Sequence, residues 1–393
     1  MKRLLPAIPD KGVFIVAISQ FGISFSMNFI MAFMPFYILK ISPFELKETL
    51  IWTGLIMAAT SATAAVMAPV WGGLANRIRP KLLYERAILS NGIIMVLFGF
   101  ARNLYLLLFL RALLGLLGGA STVGLILISA LSPKERLHKD ISLFQIAMTA
   151  GQLIAPPIGA YMVTLAGYRA SFVIASCLIF IFFTFCYVYV KDIPCPKVNP
   201  NPAKPLRTGI FWGWVLAVVA TIHITYLPSI LPHILENFQV QGAMALNSAG
   251  IIMMAYTVTA ILGNYLINSF ARRDNLRQVV MFIGLSAAFF QAAMYFGKDV
   301  FSFTVIRMLQ TGVIAAVFPM ILSIFAKGVG GGTLGFLNSA RFAGNACGPL
   351  MATFIVAYSN LATLYFIISG ITLVALMAFL RAIKAVASVD QER

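Results

Sequence analysis

Twelve long apolar runs constrain this sequence more than any other feature. About twenty apolar residues cross the hydrocarbon core of a bilayer, and 60% of the 393 residues are hydrophobic while 10% are charged. A soluble domain would carry about a quarter charged residues. We therefore predict an all-α polytopic membrane protein with twelve transmembrane helices. The runs lie at roughly 13–39, 49–75, 84–101, 103–130, 139–165, 168–190, 209–237, 245–270, 278–297, 300–326, 331–359 and 361–383.

The placement of the basic residues predicts the orientation of the chain. With the N-terminus inside, 21 of the 29 lysines and arginines fall in cytoplasmic segments, and three arginines fall within the membrane. The other five, in the outer loops, are Lys40, Lys47, Arg102, Arg169 and Lys298. This asymmetry predicts that both termini are cytoplasmic. The net charge of +17 then indicates contact with anionic lipid and not with nucleic acid.

A proline-rich segment divides the chain into two predicted halves. Residues 191–208 read KDIPCPKVNPNPAKPLRT, with five prolines and four basic residues, a composition typical of a linker. Six runs precede it in residues 1–190, and six follow it in residues 209–393. We expect the segment to be a cytoplasmic linker between two six-helix halves.

The two halves share landmarks at nearly constant offsets. LFLRALLGLLGGA (108–120) matches TVIRMLQTGVIAA (304–316) at an offset of 196, and GQLIAPPIGA (151–160) matches GNACGPLMAT (344–353) at 193. Pro35 corresponds to Pro228, also at an offset of 193. Chance similarity of apolar helices is the alternative, but three landmarks favour duplication. Duplicated halves predict a pseudo-symmetric transporter with its substrate site near the midplane.

Small residues and prolines mark one face of the fifth run and one face of the eleventh. Small residues spaced four apart allow close helix contact, and prolines are tolerated in a membrane bundle. Plain packing and a role in the transport cycle both remain open, and both hold if this contact is where the halves seal. The small residues are Gly151, Ala155 and Gly159 in the fifth run and Gly344, Gly348 and Ala352 in the eleventh, and the prolines are Pro156, Pro157 and Pro349.

Four stretches resemble motifs of one family. WGGLANRIRPK (71–81) is similar to the loop between helices 2 and 3 of the major facilitator superfamily, and RALLGLLGG (111–119) to its helix 4 arginine motif. GQLIAPPIGA resembles the helix 5 antiporter motif, and ARFAGNACGPLM (340–351) resembles helix 11 of bacterial multidrug-resistance proteins in the drug:proton antiporter family. The resemblance implies a monomer in the bacterial inner membrane that exports small molecules by alternating access.

The loop motif departs from the family at one position that matters. Gly72, Gly73 and Arg77 match, but Asn76 stands where the family has an aspartate, and Arg79 and Pro80 replace a Gly-Arg pair. In the family that aspartate locks a contact with helix 11. An asparagine accepts the same hydrogen bond but brings no charge to a helix N-terminus. We therefore expect the contact between this loop and helix 11 to be weaker in this protein.

Proton coupling, which the resemblance implies, lacks an obvious carrier. All twelve acidic residues lie in loops, tails or helix ends, and Asn28, near the middle of the first run, cannot titrate. His223 is the candidate coupling residue because histidine titrates near neutral pH. The alternative is a neutral, hydrogen-bonded histidine.

Three arginines lie within the predicted membrane: Arg111, Arg307 and Arg341. Helix carbonyls and amides could solvate them, an anionic substrate could pair with them, or they could exchange partners as the halves move. We predict a central substrate site lined by Asn28, Arg111, Gln145, Tyr226, Arg307, Gln310, Asn338 and Arg341. The positive charge favours an amphipathic, anionic substrate. An organic-anion or carboxylate-siderophore transporter is the alternative to a multidrug exporter.

The sequence argues against an enzyme. The sequence has no nucleophile placed with a base and no paired acids at a membrane face. The four cysteines and three histidines show no metal-ligand spacing. We therefore predict neither catalysis, nor a metal, nor a cofactor.

Overall fold

The computed structural model describes residues 11–74, 77–133, 136–192, 208–270, 275–325 and 331–391. Within these ranges the chain forms fifteen α-helices and one turn of 3-10 helix (Met294–Phe296), with no strand. The helices are α1 (Lys11–Met31), α2 (Met34–Ile41), α3 (Leu46–Leu74), α4 (Pro80–Phe100), α5 (Leu104–Leu117), α6 (Ala120–Leu131), α7 (Leu137–Tyr189), α8 (Thr208–Thr225), α9 (Leu227–Asn237), α10 (Gly242–Phe270), α11 (Leu276–Ala293), α12 (Val300–Ile314), α13 (Val317–Phe325), α14 (Gly331–Tyr358) and α15 (Leu361–Gln391).

The length and apolar character of these helices confirm the predicted fold class. Nine segments in the described part of the chain can each cross a membrane, and α8 with α9, bent by 41°, forms a tenth candidate. α7 has 53 residues, and Gly167 breaks it with a φ of 78°. Because about twenty residues span the bilayer, α7 is long enough for two crossings. The protein is an all-α polytopic membrane protein, and the count of twelve spans stays a prediction.

Four of the predicted spans are interrupted, and they occupy matching positions in the two halves. The first, fourth, seventh and tenth apolar runs become the pairs α1–α2, α5–α6, α8–α9 and α12–α13. Pro35 follows the first break, Gly119 with a φ of 94° makes the second, and Pro228 follows the third. Discontinuous helices are where transporters build binding sites, because a break frees backbone groups.

Each half has an apolar core of its own. Phe29, Phe33, Phe98 and Phe172 centre one cluster, drawn almost entirely from residues 13–190. Phe379 belongs to a second cluster, drawn from residues 210–379. We call these groups of helices, α1–α7 and α8–α15, the N half and the C half.

A third cluster joins the halves at one end of the bundle. Leu50 and Ala160 of the N half pack there with C-half residues such as Leu231. We call this end, where α2 ends and α3 begins, the far end, and the opposite end, where residues 191 and 208 lie, the linker end. At the far end Lys47 Nζ lies 4.0 Å from the Tyr358 ring centre, across the halves. The cavity between Pro35, Leu50 and Pro232 has a volume of only about 10 Å³, about the space for one water molecule. The two halves therefore pack tightly at this end.

The glycine faces of α7 and α14 pack inside the halves, whereas their prolines lie at the seal. A Cβ at Gly151 would lie 2.7 Å from the Phe21 carbonyl oxygen of α1, and a Cβ at Gly344 would lie 2.8 Å from the Val218 carbonyl oxygen of α8. Gly159 and Gly348 make the equivalent contacts with α1 and α8. Between the halves, a Cβ at Gly250 would lie 2.8 Å from Pro157 Cα and 2.9 Å from the Pro156 oxygen. Pro349 contacts Gly54 in the same way.

Candidate functional site

The break between α8 and α9 leaves backbone carbonyls of α8 without their helical partners. A helical carbonyl accepts from the N–H four residues later, and Pro228 has no N–H to offer Ile224. The helix also stops at Thr225 and resumes at Leu227 with a bend of 41°. Unpaired carbonyl oxygens in a membrane interior cost several kcal/mol each. The break therefore needs a donor.

Arg307 supplies that donor. Its side chain is 0% exposed, and its Nη2 donates to the His223 oxygen at 2.7 Å and to the Ile224 oxygen at 3.3 Å. Its Nη1 donates to Gln310 Oε1 at 2.8 Å. The guanidinium carbon lies 5.0 Å from the Tyr226 ring centre and 4.9 Å from that of Tyr256. Carbonyls, an amide and two aromatic faces thus surround this cation.

His223 is part of the same buried network. One ring nitrogen, Nδ1, is hydrogen-bonded to Gln310 Nε2, and the other, Nε2, lies 2.7 Å from the Thr372 hydroxyl. The ring is fully buried. Gln291 and Tyr226 extend the network through a hydrogen bond of 3.1 Å. Both ring nitrogens thus have partners inside the protein, as in the neutral, hydrogen-bonded alternative, and the coupling role of His223 stays a prediction.

Arg111 lies at the equivalent break of the N half but in different surroundings. Arg111 and Arg307 each lie seven residues into their helices, α5 and α12. Arg111 is 4% exposed, its Nη2 lies 3.9 Å from the Met31 sulfur, and its guanidinium lies 5.5 Å from the Phe98 ring centre. Its Nε, like that of Arg307, has no partner. Among the described residues it donates to no oxygen and has no carboxylate within 4 Å.

The internal repeat explains why the two arginines differ. Three residues after Arg307 the chain has Gln310, whereas three residues after Arg111 it has Leu114. At the offset of 193, Ile30 stands where the C half has His223. The N half therefore lacks the polar side chains that solvate the C-half arginine.

Arg341 lies in a third environment, on α14. Its side chain is exposed, and its guanidinium carbon lies 5.6 Å from the Phe318 ring centre of α13. Asn338, three residues earlier on the same face, is also exposed. A cation at this depth faces water or a partner and not lipid. Arg341 and Asn338 therefore lie on an exposed face of α14, on the linker side of the seal.

The remaining predicted site residues are less closely connected. Asn28 Nδ2 donates to the Ser24 oxygen of its own helix at 2.8 Å, and Gln145 is partly buried on α7. The structure thus brings Tyr226, Arg307 and Gln310 into contact, while Arg111 and Arg341 stand apart. Our sequence reasoning missed Gln291 and Thr372, although a glutamine within an apolar run is a visible signal.

The loop motif is described only in part. Asn76 lies outside the described residues, Gly72 and Gly73 end α3, and Arg77 is exposed in the turn that follows. Beside them Arg86 stacks on Trp71 at 3.5 Å and donates to the Gly118 oxygen at 3.0 Å. These contacts tie α3 and α4 to the break between α5 and α6.

The family model described as Major Facilitator Superfamily matches residues 16–232. The chain belongs to the major facilitator superfamily. It is 29% identical over 362 residues to the multidrug resistance protein MdtG of Proteus mirabilis (strain HI4320), covering 88% of this chain and 89% of that protein. It is 24% identical over 378 residues to the protein of the same name from Rahnella sp. (strain Y9602), covering 92% and 91%.

Solved structures of superfamily members share the fold. A bacterial homologue of the human lysosomal transporter Spinster, described as inward-facing and occupied, superposes with a TM-score of 0.77 at 13% identity, over 95% of this chain and 96% of that one. The human organic anion transporter MFSD10 superposes with a TM-score of 0.69 at 15% identity, over 94% and 98%. This protein is thus a multi-pass membrane transporter of the major facilitator superfamily.

Proposed function

We propose that this transporter exports small amphipathic organic molecules that carry a carboxylate or another anionic group. In the proposal it works as a monomer in the bacterial inner membrane, by alternating access, with both termini cytoplasmic. Export is supported by the helix 5 motif GQLIAPPIGA and by relatives named multidrug resistance protein. The anionic character of the substrate rests on Arg111.

The environment of Arg111 supports an anionic ligand because the residue is buried without an oxygen acceptor. Burying a cation is costly unless it is paired and hydrogen-bonded. Arg307 meets that condition through Gln310 and two carbonyls, whereas Arg111 has a methionine sulfur and an aromatic face. A carboxylate would supply two oxygens in the planar geometry that a guanidinium binds best.

Met31 lies between Arg111 and the cluster that joins the halves. Met31 packs partly buried against both the N-half cluster and the cluster that joins the halves. Methionine side chains are flexible and polarisable, and they adapt to a change of neighbours. Rotation of Met31 would expose the guanidinium to a ligand that arrives between the halves.

The route to Arg111 in this conformation begins at the linker end. The halves seal at the far end, and Arg341 and Asn338 are exposed on the linker side of that seal. With the linker in the cytoplasm, this is an inward-facing state. An anionic solute would meet Arg341 first and reach Arg111 at the break of α1 and α2.

Substrate binding tests the proposal. Purified protein would be heated with lipophilic carboxylates such as deoxycholate and, separately, with the lipophilic cation tetraphenylphosphonium, in wild type and in Arg111→Gln. We expect the carboxylates to raise the melting temperature of the wild type and to lose that effect in the variant. Lys298→Gln, an exposed charge loss at the far end, is the control and should behave as wild type. Stabilisation by the cation alone, or an equal carboxylate effect in Arg111→Gln, would overturn the proposal.

A further inference from the structure

A cavity of about 460 Å³ opens on the far-end surface of the N half. Its wall comes from three places in the chain: the end of α2, the loop between α4 and α5, and the point where Gly167 breaks α7. None of its nine lining residues belongs to the C half. They are Tyr37, Lys40, Ile41, Ala101, Arg102, Ala166, Gly167, Tyr168 and Arg169.

Three of these residues are cations, and they account for most of the positive charge at this end. Of the five basic residues that the sequence places in outer loops, Lys40, Arg102 and Arg169 line this one cavity. All three are exposed. No lining residue is acidic, and among the described residues none of the three has a carboxylate within 4 Å. Three like charges around one space repel each other unless an anion lies between them.

The cavity is held in shape by contacts that do not use the charged groups of its arginines. The Tyr37 hydroxyl donates to the Ala101 oxygen at 2.5 Å, which ties α2 to the loop beside Arg102. The Tyr37 and Tyr168 rings lie 5.2 Å apart, and Lys40 Nζ lies 5.2 Å from the Tyr168 ring centre. Gly167 has a φ of 78°, a conformation that favours glycine, and this break places Tyr168 and Arg169 on the wall.

We propose that this far-end basic pocket, defined by Lys40, Arg102 and Arg169, binds a phosphate group, in the first instance the headgroup of an anionic phospholipid. Two guanidinium forks and an ammonium match the oxygens of a phosphate. The pocket opens where a multi-pass protein meets lipid headgroups, and tyrosines are enriched at that level. Exposed Leu165 and Tyr161 on the adjoining turns of α7 provide an apolar surface for acyl chains.

The site is separate from the transport route. The pocket lies wholly in the N half, whereas Arg111 faces the break of α1 and α2 near the junction of the halves. Loss of lipid binding at the pocket therefore leaves ligand binding at Arg111 intact.

Native mass spectrometry of the full chain in neutral detergent tests this inference. Phosphatidylglycerol, phosphatidylcholine of the same chain length and inorganic phosphate would be titrated separately against wild type, Arg102→Gln, Arg169→Gln and the control Lys298→Gln. We expect wild type and control to bind phosphatidylglycerol more tightly than phosphatidylcholine. Each pocket variant should lose about tenfold or more in that affinity, the equivalent of one charge-assisted contact.

The phosphate arm distinguishes the two sources of the ligand. Binding of phosphatidylglycerol without measurable inorganic phosphate identifies a lipid site, and pocket-dependent binding of both identifies a general phosphate site, so either supports the inference. Equal binding of the two lipids by wild type would overturn it. So would equal loss of affinity in Lys298→Gln and in the pocket variants.

Discussion

Arg307 donates to the Ile224 oxygen in place of Pro228, which has no backbone N–H. Pro228 has no N–H for the Ile224 carbonyl, and Arg307 Nη2 lies 3.3 Å from that oxygen and 2.7 Å from the neighbouring His223 oxygen. The break in the seventh span is therefore stabilised from the tenth. Arg111 lies at the matching break of the N half, but its Nη2 contacts the Met31 sulfur and no backbone carbonyl of the described residues.

Arg307→Leu should destabilise the protein strongly. The substitution leaves two buried carbonyls and Gln310 without their donor, and each buried polar group left unpaired costs about 1–3 kcal/mol. Thermal unfolding in detergent would measure the loss. Pro228→Ala in the same chain restores an N–H for Ile224, so the double variant should recover part of the stability. Strict additivity of the two substitutions would show that Arg307 and Pro228 are not coupled.

Arg111→Leu should have the opposite effect on stability. Replacing an unpaired buried cation by a shorter apolar side chain removes the cost of burying the charge, and well-packed apolar replacements of buried charges are neutral or stabilising by about 1–4 kcal/mol. Binding of an anionic ligand should weaken by about tenfold or more, because a charge-assisted contact is lost. Melting temperature and ligand titration on the same sample measure both effects. A large loss of stability would show that Arg111 is structural, like Arg307.

Gly250→Ala should weaken the far-end seal. A Cβ there would lie 2.8 Å from Pro157 Cα and 2.9 Å from the Pro156 oxygen, both backbone atoms that cannot move aside. The reporter is Leu50→Cys, a position that is 5% exposed at the seal, in a background without the native cysteines. We expect a thiol reagent to label it about tenfold faster, as a cost of about 1.4 kcal/mol implies. Gly370→Ala, with nothing within 4 Å, is the matched control. Equal labelling in both would place the seal elsewhere.

The first turn of α12 should loosen in acid. Hydrogen bonds from the Ser302 hydroxyl and from the backbone of Ser302 and Phe301 lower the pKa of Asp299. Since the folded pKa is depressed, the contribution of Asp299 to stability is present above the ordinary aspartate pKa of about 4 and is lost as the pH falls below it. Hydrogen exchange of the first turn of α12 should accelerate over that range in wild type. Asp299→Asn, which cannot titrate, should show no such acceleration.

The sequence predicted the fold because hydrophobic length and charge asymmetry are properties of single segments. Four landmarks of the site, Arg111, Arg307, Pro35 and Pro228, were also visible as a repeat. The different surroundings of the two arginines depend on which side chains other helices bring near, such as Thr372 from α15 and Gln291 from α11. One sign of the different surroundings is visible in the sequence, because Leu114 occupies the position in the N half that Gln310 occupies in the C half.

The exposure of the site side chains was harder to predict from the sequence than their positions along the helices. The sequence predicts that Asn28 and Arg341 line one site, and in the structure Asn28 donates to its own helix while Arg341 is exposed near Phe318. Helical periodicity gives the face of a helix, but the crossing of neighbouring helices decides what that face meets. The site as a whole therefore stays a prediction that ligand experiments must test.

Transport in proteoliposomes tests whether Arg111 binds an anionic substrate during transport. Vesicles loaded with an unlabelled lipophilic carboxylate would be diluted into the labelled compound, and its exchange would be followed for wild type, Arg111→Leu and Lys298→Gln. We expect exchange by wild type and control, and none by Arg111→Leu, although that variant should melt at or above the wild-type temperature. Exchange at the wild-type rate by Arg111→Leu, or exchange of lipophilic cations alone by wild type, would contradict this expectation.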